Sequence, residues 1–266
     1  HVSNQSWAVV TGASAGIGAA FARQLAANGH NLLLVARRAD RLTALADELH
    51  AACGVQTAVR AVDLGDRPAT LTLAAELTQR DDIGLLIHNA GFGTNALLAD
   101  APTADQHAML NLHVHASYDL AHAVLPAMLA RRQGAIIIVS SIAAFTTGAE
   151  SANYCATKAY QLSFAQSLAK ECAPHGVRVQ ALCPGYTVTE FHNAPTMGDF
   201  DRRRVPAPLW DSAEFVVATS LAALARNQVV VIPSRKNRLI VLSARYGWLR
   251  YPLALLRRLN RVPRRR

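Results

Sequence analysis

This chain of 266 residues has few cysteines, and they are widely separated. None of the four forms a Cys-x-x-Cys pair or a cysteine–histidine cluster with the spacing of a zinc site. The cysteines are Cys53, Cys155, Cys172 and Cys183. Unclustered cysteines are typical of reduced intracellular proteins. The sequence therefore predicts a cytoplasmic protein without a metal centre.

Long apolar runs are also absent, although 51% of the residues are hydrophobic. No run reaches the roughly 18 residues that would predict a membrane-spanning helix. The apolar content is instead sufficient for one large core. No repeated sequence is visible, so the pattern favours a single folded domain.

Acidic residues are missing from the last part of the chain. Residues 235–266 contain 11 Lys and Arg and no Asp or Glu, whereas the rest of the chain contains 16 basic and 18 acidic residues. Leucines recur at helical spacing between the arginines at 249–261, beside Trp248. This pattern predicts a basic amphipathic extension at 235–266 that makes peripheral membrane contact or packs on a partner subunit. Nucleic acid is not expected as a partner, because no recognition fold accompanies the charge.

Short apolar runs alternate with helical patterns along residues 1–234, which we interpret as one domain. Strands are predicted at 8–11, 31–36, 56–61, 84–88, 135–140, 178–182 and 229–232. Helices are predicted at 17–28, 40–52, 67–78, 104–131, 151–173 and 212–225. Nearly continuous apolar strands are typical of a sheet that helices cover on both faces. The sequence thus predicts an α/β fold with a doubly wound parallel sheet of about seven strands.

A glycine-rich run follows the first predicted strand and opens the first predicted helix. It contains Gly12, Ser14, Gly16, Ile17 and Gly18. Glycines at such a turn let a phosphate approach the backbone and the helix N-terminus. The run is not a Walker loop, because no Gly-Lys-Ser/Thr follows. We interpret it as a dinucleotide-binding loop.

Two arginines end the second predicted strand, where an acidic residue would bind a ribose 2′-hydroxyl. Arg37 and Arg38 suit a 2′-phosphate instead, and the Ser14 hydroxyl could add a contact. In the alternative interpretation the two arginines start a solvated helix, with Arg41 as a third member. The pattern favours NADP(H) over NAD(H), with NAD(H) still open.

Tyr154 and Lys158 are four residues apart in a predicted helix, so both project from one face. A cation close to a phenol favours the phenolate and lowers the phenol pKa toward the working range. The pair can therefore move a proton to or from a carbonyl or alcohol oxygen.

Together these motifs resemble those of the short-chain dehydrogenase/reductase family, whose members have a Rossmann fold. The resemblance covers roughly residues 7–232. It rests on Thr-Gly-x-x-x-Gly-Ile-Gly at 11–18, Asp63-Leu64, Asn89-Ala90-Gly91, Asn111, Ser141, Tyr154-x-x-x-Lys158, and Pro184-Gly185 with Thr189. Two departures are His88, where the family often has Asn, and Thr187, where an aliphatic residue is usual.

The resemblance implies an oxidoreductase with a catalytic group of Asn111, Ser141, Tyr154 and Lys158. Tyr154 would protonate the carbonyl oxygen, Lys158 would lower the tyrosine pKa and hold the nicotinamide ribose, and Ser141 would orient the substrate oxygen. Ser140 is the rival for the serine role, and Asn111 would complete a proton relay through Lys158 and water. The other implied cofactor contacts are Asp63, Leu64, Asn89, Ala90, Gly91, Pro184, Gly185, Thr187 and Thr189. The histidines at 107, 113, 115 and 122 are interpreted as helix-surface or core residues.

The substrate is less well specified by the sequence. Residues 186–211 lack periodicity, and we predict a lid there. Its aromatic and leucine side chains, with Phe145, suggest a lipophilic carbonyl or alcohol substrate. The run at 183–192 and the length after it resemble 3-ketoacyl and 17β-hydroxysteroid reductases, and this resemblance implies a 3-ketoacyl or steroid-like ketone. These lid residues are Tyr186, Phe191, Phe200, Leu209 and Trp210. Arg202, Arg203 and Arg204 could steer a phosphate-bearing thioester or form a solvated turn. The family resemblance implies a homodimer or homotetramer. The alternative function is a cofactor-binding regulator or membrane-associated scaffold.

Overall fold

The computed structural model describes residues 6–198 and 200–245 of the chain. Trp248 and the leucine–arginine pattern at 249–261 lie outside the described residues, so the prediction made for them remains a prediction. Within the described ranges, no helix is long and apolar enough to cross a membrane.

Seven parallel strands form one sheet in the order β3-β2-β1-β4-β5-β6-β7. They are β1 (Trp7–Thr11), β2 (Asn31–Ala36), β3 (Thr57–Ala61), β4 (Ile83–His88), β5 (Gly134–Val139), β6 (Val177–Leu182) and β7 (Val230–Val231). The helices are α1 (Gly16–Ala27), α2 (Ala39–Cys53), α3 (Arg67–Thr78), α4 (Thr103–Leu110), α5 (Ala116–Ala130), α6 (Ala152–Cys172), α7 (Ala213–Ala225) and α8 (Arg235–Arg245). The predicted doubly wound parallel sheet is confirmed.

The alternation of side chains along the strands builds two apolar layers, because successive residues face opposite sides of a sheet. Val10 and Leu34 point into one layer, where Phe21 of α1 is fully buried. Val9 and Leu33 point into the other layer. Helices α1, α2 and α7 cover the first face, and α3, α5 and α6 cover the second. The near-continuous apolar strands therefore follow from burial on both faces.

The helix predicted at 104–131 is interrupted in the structure. Helix α4 passes into a π-helical turn at Asn111–His115 before α5 begins. A π turn contains an extra residue and rotates the side chains that follow it. As a result His113 is fully buried, whereas Asn111 stays partly exposed.

The start of the predicted basic extension packs on the domain. In α8, Lys236 pairs with Asp211 at 2.7 Å, and Asn237 Nδ2 donates to Asp211 Oδ2 at 3.0 Å. Asp211 is buried and lies at the end of the predicted lid. The predicted domain boundary at 234 therefore precedes a helix that contacts the α/β domain.

Strands β1 and β4 lie side by side where the strand order reverses, and Thr11 joins their carboxyl ends. The buried Thr11 Oγ1 accepts hydrogen bonds from the backbone N–H groups of Asn89 and Ala90, at 2.9 and 3.0 Å. Ligands of open α/β sheets bind at this reversal point. Thr11 thus sets the base of the candidate site.

Thr11→Val should lower the free energy of unfolding by about 1–3 kcal/mol, since the part-buried N–H groups of Asn89 and Ala90 lose their acceptor. Thr43→Val is the matched control, because Thr43 is exposed and its hydroxyl bonds only the Ala39 carbonyl of its own helix. The control should stay within about 0.5 kcal/mol of the wild type. Urea unfolding measures both variants, and equal stabilities would contradict the role given to Thr11.

Candidate active site

The glycine loop is closely packed against the end of β4. Gly12 has a φ of +66°, and a β-carbon there would lie 2.7 Å from Asn89 Nδ2. A β-carbon on Gly18 would lie 2.2 Å from the Gly12 carbonyl oxygen. Only glycine fits both positions, so the backbone at the N-terminus of α1 stays accessible to a phosphate. Asn89 Nδ2 also donates to the Thr11 carbonyl at 3.0 Å, which holds the loop in place.

The segment after β6 closes the other side of this loop. A β-carbon on Gly16 would lie 2.8 Å from the Thr189 methyl group. Thr187 Oγ1 donates to the Gly185 carbonyl at 3.1 Å, and the Pro184 carbonyl accepts from Ile142 N–H at 3.0 Å. The structure thus brings the 184–189 segment beside the glycine loop and the turn that follows β5.

Arg38 connects the glycine loop to the lid. Its Nε and Nη2 donate to Ser14 Oγ at 3.2 and 3.0 Å, and its Nη1 pairs with Glu190 at 2.9 Å. Arg41 pairs with the same carboxylate at 2.8 Å. Hydrogen bonds from the two guanidiniums lower the Glu190 pKa. A carboxylate thus occupies an anion site built by two arginines, and the arrangement fits a 2′-phosphate there.

Arg37 has a different environment from Arg38. Its side chain is 75% exposed, and its guanidinium approaches Asp63 only to 3.8 Å. Asp63 accepts a hydrogen bond from the Gly65 N–H at 2.9 Å, and Leu64 is buried in the core. The geometry therefore favours Arg38 with Arg41 as the anion-binding group, and the Glu190 carboxylate occupies it in this structure. Sequence reasoning considered Arg41 only as the start of a solvated helix, and it did not identify Glu190.

Tyr154 lies beside Ser141 at the carboxyl end of β5. Burial raises the pKa of Tyr154 to about 12, against the opposing effect of its hydrogen bond with Ser141. The expected lowering of this pKa is therefore wrong for the protein alone, because loss of hydration outweighs the favourable contacts. Ser140 cannot compete for the substrate-orienting role in this geometry, since its hydroxyl donates to the Lys158 carbonyl at 2.8 Å. Ser141 is the serine that faces Tyr154.

Lys158 is buried, and its ammonium has two acceptors in the structure. Nζ donates to the Val139 carbonyl at 3.0 Å and to Gln161 Oε1 at 2.9 Å. It lies 5.8 Å from the centroid of the Tyr154 ring. Burial lowers the pKa of Lys158 to about 7, so the charged form is lost as the pH rises through neutrality. Gln161 was not identified from the sequence.

The structure brings His113 to Lys158 and directs Asn111 elsewhere. Asn111 Nδ2 donates to the Gly65 carbonyl at 3.0 Å. The β-carbon position of Gly91, by contrast, lies 2.9 Å from His113 Nε2 and 3.5 Å from Lys158 Nζ. Sequence reasoning took His113 for a helix-surface or core residue, because a π turn leaves no mark on the hydrophobic pattern. Of the predicted catalytic four, Ser141, Tyr154 and Lys158 lie together.

Aromatic side chains of the predicted lid pack on one another, and one of them, Phe191, lies beside Tyr154. The Phe191 ring centroid is 6.1 Å from that of Tyr154. His192 stacks on Phe200 at 4.9 Å. Both rings lie near Tyr186, and His192 also lies near Trp210. Burial lowers the pKa of His192 to about 4, so it contributes to this cluster as a neutral ring.

The remaining side chains predicted to surround the substrate lie in different environments. Phe145 packs on the core layer that α6 covers. The Arg202 guanidinium lies over the Trp210 ring at 4.6 Å, and Arg203 pairs with Asp201 at 3.1 Å. Arg202 is thus part of the lid cluster, whereas the exposed Arg203 matches the expected solvated turn.

The fold and this site define a dinucleotide-binding oxidoreductase. A glycine loop, an arginine pair and a tyrosine–serine–lysine group meet at the reversal point of a parallel sheet. The family model described as short chain dehydrogenase matches residues 6–197. The chain belongs to this family.

Known relatives and a solved structure support the assignment. The chain is 34% identical over 239 residues to sulfoacetaldehyde reductase 2 of Chromohalobacter salexigens, covering 86% of this chain and 94% of that protein. It is 33% identical over 190 residues to a very-long-chain 3-oxoacyl-CoA reductase of Laccaria bicolor, covering 70% of this chain but only 56% of the longer fungal protein. A short-chain dehydrogenase from Sphingobium yanoikuyae, solved in complex with NADPH, superposes with a TM-score of 0.82 at 30% identity, covering 98% of each chain.

Proposed function

We propose that this protein reduces a carbonyl group on a lipophilic substrate, with NADPH as hydride donor and Tyr154 as proton donor. The observation that carries the proposal is the hydrogen-bonded pair of Tyr154 and Ser141 beside the buried Lys158. When bound, NADPH supplies the hydride, so the protein must orient the carbonyl and deliver a proton.

The protonation states favour reduction. With a pKa of about 12, Tyr154 carries its proton throughout the neutral range. The Ser141 hydroxyl can bind the same substrate oxygen and hold it against the phenol. The Lys158 ammonium, which is charged mainly below pH 7, stabilises the negative charge left on Tyr154 after proton transfer. Reduction should therefore slow as Lys158 loses its proton.

NADP(H) is the preferred cofactor in this proposal. Arg38 and Arg41 already hold one carboxylate, that of Glu190, and Ser14 lies within hydrogen-bond distance of Arg38. A 2′-phosphate would meet the same guanidiniums, which bind phosphate and carboxylate oxygens in similar geometry. The NADPH complex of the Sphingobium relative agrees with this preference.

We infer the substrate class from the aromatic side chains of the predicted lid. Tyr186, Phe191, Phe200 and Trp210 offer apolar surface next to Tyr154, which suits a 3-ketoacyl chain or a steroid-like ketone. The fungal relative reduces very-long-chain 3-oxoacyl-CoA by its name. The sulfoacetaldehyde reductase favours a second candidate, a small anionic aldehyde, which Arg202 at the lid could attract.

A regulator or scaffold without turnover is the alternative from a different class. It would need only the cofactor loop and not the proton-donating group. The conjunction of Tyr154, Ser141 and Lys158 argues against it, because a buried ammonium is costly to keep without a function.

We also propose self-association and a membrane contact. Tyr118 of α5 and Tyr160 of α6 are exposed and flank Phe164, an aromatic surface suited to pairing with a second copy as a homodimer or homotetramer. A purely monomeric species in analytical ultracentrifugation would argue against it. The four free cysteines agree with a cytoplasmic location.

The membrane contact is proposed for the basic extension at 235–266, with residues 246–266 as its main anchor. Leu239 and Leu242 are exposed on α8, where the exposed Arg235 and Arg238 add basic charge. A chain ending after Arg245 keeps α8 and its contact with Asp211, so it tests the tail alone. If this shortened chain sediments with anionic liposomes as well as the full chain does, the proposal is wrong.

Tyr154→Phe should lower the rate of NADPH-dependent reduction by about 100-fold or more, because the general acid is lost. NADPH binding, followed by fluorescence, should persist. The substrates are 3-ketoacyl thioesters, steroid ketones and sulfoacetaldehyde. Tyr160→Phe on the same helix is the control, since Tyr160 is exposed. Undiminished turnover in Tyr154→Phe would contradict the proposed proton donor.

Arg38→Ala should weaken NADPH binding by at least about 10-fold and NADH binding much less, because charge-assisted hydrogen bonds to the 2′-phosphate are lost. Glu190→Gln should strengthen NADPH binding by roughly 2- to 5-fold, since a competing carboxylate is removed from an exposed site. Arg37→Ala is the comparison and should have the smaller effect.

Calorimetric titration of each variant with NADPH and NADH measures these changes. Equal losses for both cofactors in Arg38→Ala, or a larger selective loss in Arg37→Ala, would show that the phosphate is bound elsewhere.

A further inference from the structure

Asn237 of α8 lies against the backbone that follows β6. Its side chain is buried, and a β-carbon on Gly185 would lie 2.5 Å from Asn237 Nδ2 and 2.6 Å from Asn237 Cγ. The φ of Gly185 is not positive, so it is the close approach of the Asn237 amide that requires glycine there. The amide group therefore packs directly on the Gly185 backbone.

A carboxylate fixes the orientation of this amide. Asn237 Nδ2 donates to Asp211 Oδ2 at 3.0 Å, and an ionised carboxylate can only accept hydrogen bonds. The amide oxygen, Oδ1, is buried and has no hydrogen-bond partner among the residues that the structure describes. A buried oxygen without a partner costs free energy. The cost indicates that the donor half of the amide, which holds Asp211, is what this position requires.

Asp211 extends this contact to the backbone beside Gly185. Its N–H donates to the Tyr186 carbonyl at 2.9 Å, and its own carbonyl accepts from the Val188 N–H at 2.9 Å. The two segments thus pair as in a parallel sheet. Lys236 Nζ lies 2.7 Å from the other carboxylate oxygen of Asp211. Helix α8 therefore holds this backbone at two points, directly at Gly185 and through Asp211.

The segment after β6 lies at the end of the site where hydride transfer would take place. Arg38, at the phosphate end, follows β2 on one side of the reversal point, whereas β6 lies on the other side. The Pro184 carbonyl accepts from the Ile142 N–H at 3.0 Å, and Ile142 follows Ser141, which is hydrogen-bonded to Tyr154. Hydride and proton must reach the same carbonyl group, so the nicotinamide half of the cofactor belongs at this end.

We propose that Asn237 is a positioning residue for the cofactor: its amide, bonded to Asp211 and packed on Gly185, fixes the backbone that the nicotinamide half of NADP(H) would contact. The first helix of the basic extension is thus part of the framework of the active site. This inference rests on the proposed reductase function, which assigns the nicotinamide to the Tyr154 end of the site.

Exchanging the two bonded side chains tests the contact in the full-length protein. In Asp211→Asn one amide oxygen remains for two donors, Lys236 and Asn237, and in Asn237→Asp two carboxylates face each other. Each single variant should bind NADPH and NADH about 10-fold more weakly, because both cofactors share the nicotinamide half. The double variant restores one donor–acceptor pair and leaves an oxygen for Lys236. Its affinity in calorimetric titration should return to within about 3-fold of the wild type.

Ser243→Ala is the matched control, since Ser243 is also buried in α8 and its hydroxyl donates to the Ile240 carbonyl of the same helix. It should bind both cofactors as tightly as the wild type. Titrations well below the unfolding temperature of each variant keep a loss of stability from changing the Kd. Unchanged binding in both single variants, a loss confined to NADPH, an equal loss in Ser243→Ala, or no recovery in the double variant would overturn the proposal.

Gly185→Ala tests the same contact from the other side, and it decides the matter if an exchanged variant does not fold. Its β-carbon would meet the Asn237 amide, so both cofactors should again bind about 10-fold more weakly. Asn237→Ala removes the amide atoms that this β-carbon would meet. Gly185→Ala combined with Asn237→Ala should therefore bind no more weakly than Asn237→Ala alone, and losses that multiply would overturn the proposal.

Binding and turnover separate this inference from the proposed function. If no carbonyl is reduced, the reductase proposal fails while the cofactor titrations still decide the role of Asn237. If reduction occurs and these variants bind both cofactors as the wild type does, the role of Asn237 is wrong and the reductase stands.

Discussion

The ammonium of Lys158 is buried, and this single charge constrains the rest of the site. A buried cation is stable only where acceptors surround it. Here they come from separate elements, namely the Val139 carbonyl at the end of β5 and Gln161 one turn further along α6. The π turn places the buried His113 ring on the other side of the Tyr154 ring, with 5.9 Å between their centroids. The carboxyl end of β5, helix α6 and the π turn between α4 and α5 must therefore meet at one point. Tyr154 and Ser141 lie at this point.

Glu190 connects the predicted lid to the arginine pair at which a cofactor phosphate would bind. This residue follows Thr189, whose methyl group packs on the glycine loop, and its carboxylate lies between Arg38 and Arg41. A phosphate that binds these arginines must compete with the first residues of the lid. Helix α8 supports the opposite end of the same segment through Asp211. The predicted lid is thus attached to the arginine pair at one end, through Glu190, and to the start of the basic extension at the other, through Asp211.

Much of the fold could be predicted because it depends on local patterns. Continuous apolar strands that alternate with helical patterns indicated the parallel sheet, and Tyr154 with Lys158 indicated the chemistry. The place of His113 beside the Tyr154 ring could not be predicted, because a π turn shifts the facing residue without changing composition or periodicity. Whether Arg37 or Arg38 binds an anion depends on Glu190, which is 152 residues away in sequence from Arg38. The high pKa of Tyr154 results from burial, and the spacing of Tyr154 and Lys158 in the sequence carries no information about burial.

The central claim is that this site delivers a hydride to a carbonyl carbon and a proton to its oxygen. The most direct measurement uses NADPH carrying deuterium at the transferred position, with mass spectrometry of the alcohol formed from each ketone. The account predicts that wild-type protein incorporates one deuterium into the alcohol product of a lipophilic ketone. Absence of label from every product, with NADPH bound and the protein folded, would contradict the assignment as a reductase.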